Sequence, residues 1–127
     1  MTGAATLGSV AAGGALGAVL RYAVSTAVYG VLGRGFPWGT LVVNLLGSLA
    51  MGLLWVLLVE RLASGPALRA FLTVGLLGAF TTFSTFAIET LSLAEEGAWL
   101  AAAANVVASV VLCLAAAAVG VWLGRSL

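Results

Sequence analysis

The sequence predicts an all-α integral membrane protein of four transmembrane helices, and three observations carry that prediction. Of 127 residues, 63% are hydrophobic and 7% charged, with a mean hydropathy of +1.23, which leaves too little polar surface to cover a water-soluble particle. The charges, five Arg and four Glu, fall at Arg21, Arg34, Glu60, Arg61, Arg69, Glu89, Glu95, Glu96 and Arg125, leaving uncharged runs at 1–20, 35–59, 70–88 and 97–124. Each run is near or above the roughly 18 to 20 apolar residues that cross a hydrocarbon core. No alternation of apolar and polar residues is visible, so helices rather than barrel strands must satisfy the backbone in lipid.

The expected helices run over about 4–31, 37–60, 67–94 and 98–123, in one transmembrane domain spanning 1–127. Gly33, Gly35 and Pro37 punctuate the first connection, Ser64, Gly65 and Pro66 cap and open the third helix, and Glu95, Glu96 and Gly97 form the last turn. Tyr29, Phe36, Trp38 and Trp99 are expected in an aromatic belt at one interface and Trp122 at the other. The first segment lacks a basic leader and runs too far to read as a cleaved signal. Four passes put both termini on one side. That side carries Arg61, Arg69 and Arg125 against Arg34 and Arg21 opposite, a bias small enough to allow insertion in both orientations.

Several functions are excluded by composition. A net charge of +1 offers no basic footprint for nucleic acid, and the absence of His beside a lone Cys113 removes the usual metal clusters, disulfides and Cys/His nucleophile pairs. Small residues recur four apart at Gly13 and Gly17, Ser48 and Gly52, and Gly120 and Gly124, beside Ala-rich strips at 101–104 and 115–118. Such faces let helices approach closely, either within the chain or between copies. A hydrated route needs more walls than four helices supply, so a second copy is expected.

The polar residues inside the spans are the candidates for function. In the third span, residues 75–86 place Thr81, Thr82, Ser84 and Thr85 among Phe80, Phe83 and Phe86. Two reading frames stay open: a broken helix whose freed carbonyls hold an ion or water, or a continuous helix whose hydroxyls bond back one turn. The three Phe recur every third residue, as one stripe that packs against its neighbours or presents positive ring edges to a small anion. Asn44 brings amide donors into the second helix, for a structural bond or for an anion path. Arg21 lies about nine residues, roughly 14 Å, inside its helix end, with Glu89 as its expected charge partner.

Three segments coincide with one family: residues 13–22 (GGALGAVLRY), 38–48 (WGTLVVNLLGS), and 78–86 (GAFTTFSTF) followed by Glu89. The chain resembles the Fluc (CrcB) fluoride channels over essentially its whole length. The resemblance implies a passive, selective fluoride channel of the plasma (inner) membrane that exports cytoplasmic fluoride. It implies an antiparallel, dual-topology homodimer in lipid, with two pores each lined by both subunits. Asn44 would reach fluoride, Phe83 and Phe86 would turn ring edges to it, Thr40, Ser84 and Thr85 would form a polar track, and Arg21 would stand in the vestibule. Backbone carbonyls of Gly78 and Thr81 would hold a structural sodium ion (Na+) on the two-fold axis. Many relatives carry a Tyr in the fourth helix followed four residues later by Ser; here Asn105 precedes Ser109, and both are expected at the pore. The alternatives are a small proton-coupled exporter, which needs a deep acidic residue, and a non-conducting assembly protein. No nucleotide loop or evident proton relay is encoded, so neither an enzyme nor a pump is expected.

Overall fold

The computed structural model describes residues 3–127. Helix α1 spans Gly3–Leu32 and α2 spans Trp38–Arg61. The third span is interrupted: α3 covers residues 66–80, two extended residues follow, and α4 runs Phe83–Glu95. Helix α5 spans Trp99–Ser126. All four spans are long and apolar enough to cross a membrane, and their ends fall within three residues of those expected from the charge gaps.

The turns follow from local chemistry. Pro66 occupies the first turn of α3, where its missing N–H costs nothing. At the end of α4, Gly97 adopts φ +80°, a left-handed geometry that glycine reaches without a Cβ penalty. Its N–H donates to the Ala94 carbonyl at 3.0 Å, and the Ala98 N–H donates to Leu93 at 2.8 Å, which closes the helix in a Schellman motif.

Packing is set by backbone approaching backbone. The middle of α3, Ala70–Leu77, is wound as a π-helix and lies on the Gly13 and Gly17 face of α1, where a Cβ on either glycine would meet the Phe71 or Leu76 carbonyl. Across the bundle, Gly52 of α2 faces the Ala117 carbonyl, and Gly120 of α5 faces the Leu49 carbonyl. Gly124 seats against Val56. These glycine faces are therefore consumed inside one chain and cannot also serve a second copy. The Arg125 guanidinium holds Glu60 at 2.8 Å, and Arg61 donates to the Arg125 carbonyl at 2.7 Å, so the ends of α2 and α5 are tied on the same side.

A clamped helix break between two cavities

The break lies at Thr81 and Thr82, both in extended conformation with ψ 158° and ψ 114°. Asn44 holds it open. Its Oδ1 accepts the Thr82 N–H at 2.7 Å and its Nδ2 donates to the Thr82 carbonyl at 3.0 Å. One amide thus replaces both helical partners of one residue, its oxygen accepting and its NH2 donating. The broken-helix reading holds, and the hydroxyl back-bonding of the continuous alternative survives at Thr81, which donates to Leu77 at 2.9 Å. Thr82 also caps α4, its Oγ1 accepting the Thr85 N–H at 3.2 Å.

The new helix ends are treated unequally. Arg21 reaches across from α1 and donates through Nε to the Ala79 carbonyl at 2.9 Å, placing positive charge at the carbonyl end of α3, where the helix dipole favours it. Thr82 N–H is diverted to Asn44, so the Gly78 carbonyl loses its helical donor, and among the described residues the Phe80 and Thr81 carbonyls accept no N–H either. Carbonyl oxygens left bare at membrane depth are tolerated only where protein, water or an ion meets them.

The Phe stripe is divided by the break. Phe80 stays on α3, while Phe83 and Phe86 stand on α4 with ring centroids 5.2 Å apart and planes tilted by 45°. Phe86 is buried at 9% exposure, yet Phe83 is 79% exposed, so one ring of the pair projects beyond the chain's own surface. Both rings border a groove of about 480 Å³, which also receives Asn44, Ser48, Thr81, Thr82 and Ser109 and has no charged residue in its lining.

A second cavity, of about 310 Å³ and also bordered by Thr82, lies between α1, α2 and α4. It gathers Arg21, Arg34, Thr40, Thr85 and Glu89. The expected pairing of Arg21 with Glu89 is corrected here: they share the cavity without an ion pair, and Glu89 instead accepts hydrogen bonds from Thr40 Oγ1 and, at 2.8 Å, from Tyr29 Oη. Two near hydroxyls satisfy the carboxylate while Arg21 is committed to Ala79. Tyr29 correspondingly turns its hydroxyl inward rather than toward an interface belt, with Arg34 stacked over its ring at 4.6 Å. Thr40 and Thr85 belong to this inner cavity and not to the groove; Ser84 is exposed beside Thr82, with their oxygens 3.4 Å apart.

Asn105 also departs from expectation. It is 1% exposed and does not reach the groove. Its Nδ2 donates to Thr90 Oγ1 at 2.9 Å, Thr90 donates to the Phe86 carbonyl at 2.7 Å, and Ser109 donates to Asn105 Oδ1 at 3.4 Å. The shorter amide draws back into the α4–α5 contact, where it fastens the helix carrying Phe86. Thr90 was not singled out in the sequence; its spacing, four residues after Phe86, is the available signal for its bond.

The family model described as CrcB-like protein, Camphor Resistance (CrcB), matches residues 9–121. The chain belongs to the CrcB family. A Magnetococcus marinus relative named fluoride-specific ion channel FluC is 58% identical over 116 residues, covering 91% of this chain and 94% of that one. A relative of the same name from Hydrogenovibrio crunogenus is 49% identical, covering 92% and 89%. Another, from Methylococcus capsulatus, is 55% identical over 96% of this chain, which spans 54% of that relative's length. With its four apolar spans, this CrcB-family chain is a multi-pass integral membrane protein.

Proposed function

We propose that the chain is a passive, selective fluoride channel that lets the anion leave the cytoplasm across the inner membrane. The observation that carries this reading is the uncharged groove lined by Asn44 together with the Phe83–Phe86 pair. Fluoride is small and strongly hydrated, so a selective path must replace its water with close donors and must not bind it so firmly that it stays. An amide N–H and positive ring edges do this without the deep well of a buried guanidinium. The names of the relatives agree with this substrate.

A second copy completes the path. The groove is open on the face from which Phe83 projects, and the near balance of Arg on the two sides suits an antiparallel homodimer in lipid. Such a pair has two grooves and hence two pores. The carbonyls of Gly78 and Thr81, left without backbone donors, fit a structural sodium ion shared between copies; that ion would supply positive charge to hold the two breaks together. Arg21 and Arg34, in the inner cavity, gather anions toward Thr82.

Fluoride efflux from liposomes containing the purified protein, read with a fluoride electrode and repeated with chloride, tests the proposal. Fast fluoride release with little chloride release, unaffected by a pH gradient, is expected. Release only with an opposing proton gradient would favour an exporter built on Glu89, and no release by a dimeric preparation would favour an assembly protein.

A further inference from the structure

The groove contains four hydroxyls, from Ser48, Thr81, Thr82 and Ser109. Three have committed their protons elsewhere. Thr81 donates to the Leu77 carbonyl at 2.9 Å, Thr82 to Thr85 Oγ1 at 3.0 Å, and Ser109 to Asn105 Oδ1 at 3.4 Å. These oxygens offer lone pairs, which repel an anion. Ser48 differs: among the described residues its hydroxyl has no hydrogen-bond partner, although the Asn44 carbonyl lies one turn earlier on the same helix. Ser25, Thr73 and Thr90 all return their protons to the carbonyl one turn earlier.

We infer that Ser48 is a fluoride-contacting residue, the hydroxyl donor that takes the ion after Asn44. This assignment rests on the channel reading. Asn44 and Ser48 are four apart on α2 and so lie on one face; both line the groove with Phe83 and Phe86. Of the rest of the wall, Met51 and Cys113 offer only weakly accepting sulfurs and Gly47, Leu77, Val110 and Leu114 have apolar or no side chains, and none of the hydroxyl oxygens of Thr81, Thr82 and Ser109 accepts the Ser48 proton. A free O–H in such surroundings is costly unless something accepts it. A permeating fluoride is an acceptor of the right size and charge. Donation by Ser48 adds a second donor one helical turn from Asn44, and spaced weak sites are what conduction needs.

The test compares Ser48→Ala and Ser48→Thr with the parent in liposomes, measuring fluoride efflux over a range of fluoride concentrations and the dimer fraction by size-exclusion chromatography in detergent. Ser48→Ala is expected to lower efflux about tenfold, the scale of one hydrogen bond to a charged group, and to raise the half-saturating fluoride concentration, with the dimer fraction unchanged. Ser48→Thr, which keeps the hydroxyl, restores most of the flux. Parental flux in Ser48→Ala would overturn the assignment. So would a Ser48→Ala that loses dimer while keeping its flux per dimer, since the hydroxyl would then bond across the interface. A parent that passes no fluoride would instead overturn the channel reading itself, and the role of Ser48 with it.

Discussion

Replacing Asn44 separates its two duties, because the same amide clamps the break and faces the groove. In Asn44→Ala the Thr82 N–H and C=O both lose their partners. An unsatisfied buried polar group costs about 1–3 kcal/mol, and measured helix-to-helix bonds in lipid run smaller, so a loss of about 2–4 kcal/mol is expected for the pair. The ion loses a donor as well, worth about 1.5–3 kcal/mol toward a charge, or roughly 10- to 100-fold in flux. Asn44→Asp keeps the acceptor for the Thr82 N–H but sets a negative charge against the path. At 4 Å and an effective dielectric of 20, like charges repel by about 4 kcal/mol, close to a thousandfold in rate. Thermal unfolding in detergent and fluoride efflux from liposomes, measured on the same preparations, distinguish the two. Asn44→Asp should be the less conductive of the two and no more stable than Asn44→Ala, because a carboxylate oxygen then stands where the Nδ2 donor met the Thr82 carbonyl. A dimeric Asn44→Asp with parental efflux would show that the amide only braces the helix break and never meets the ion.

Other substitutions reach the remaining parts of the account. Phe83→Ile retains apolar bulk but removes the ring edge, so fluoride efflux should fall about two- to tenfold while the dimer survives; efflux equal to the parent's would remove the ring-edge role. Gly120→Val drives side-chain atoms into the Leu49 carbonyl and the Leu53 N–H, and should cost more than about 4 kcal/mol, seen as loss of monodisperse protein on size-exclusion chromatography. Thr90→Val strands the buried Asn105 amide and should lower stability by about 1–3 kcal/mol in thermal unfolding, with a smaller loss of flux than Phe83→Ile produces.

How much of this was legible in the sequence depends on whether a feature is local. The four spans were, since an uncharged run must enter the bilayer whatever it packs against. The break was half legible: Gly75, Gly78, Thr81 and Thr82 marked a weak stretch, but its position is decided by Asn44, which arrives from another helix. The partners of Glu89 were not legible. Arg21 looked like the match on charge alone, whereas the Tyr29 and Thr40 hydroxyls lie closer and Arg21 is drawn to the carbonyl end of α3. The same limit applies to the glycines. Their spacing shows a smooth face, but only the fold shows that Gly13 and Gly17 meet α3, and Gly52 meets α5, within one chain. Asn105 was misplaced for a related reason: aligning it with a longer Tyr put it at the pore, and its shorter side chain stops at Thr90.

The central claim is passive movement of fluoride alone, and the reversal potential of currents across a planar bilayer tests it most directly. With a tenfold fluoride gradient and symmetric chloride and pH, the current should reverse near the fluoride equilibrium potential, about 59 mV from zero for a monovalent ion. It should stay there when a pH gradient is added. Reversal near zero, or a shift that follows the proton gradient, would contradict the account.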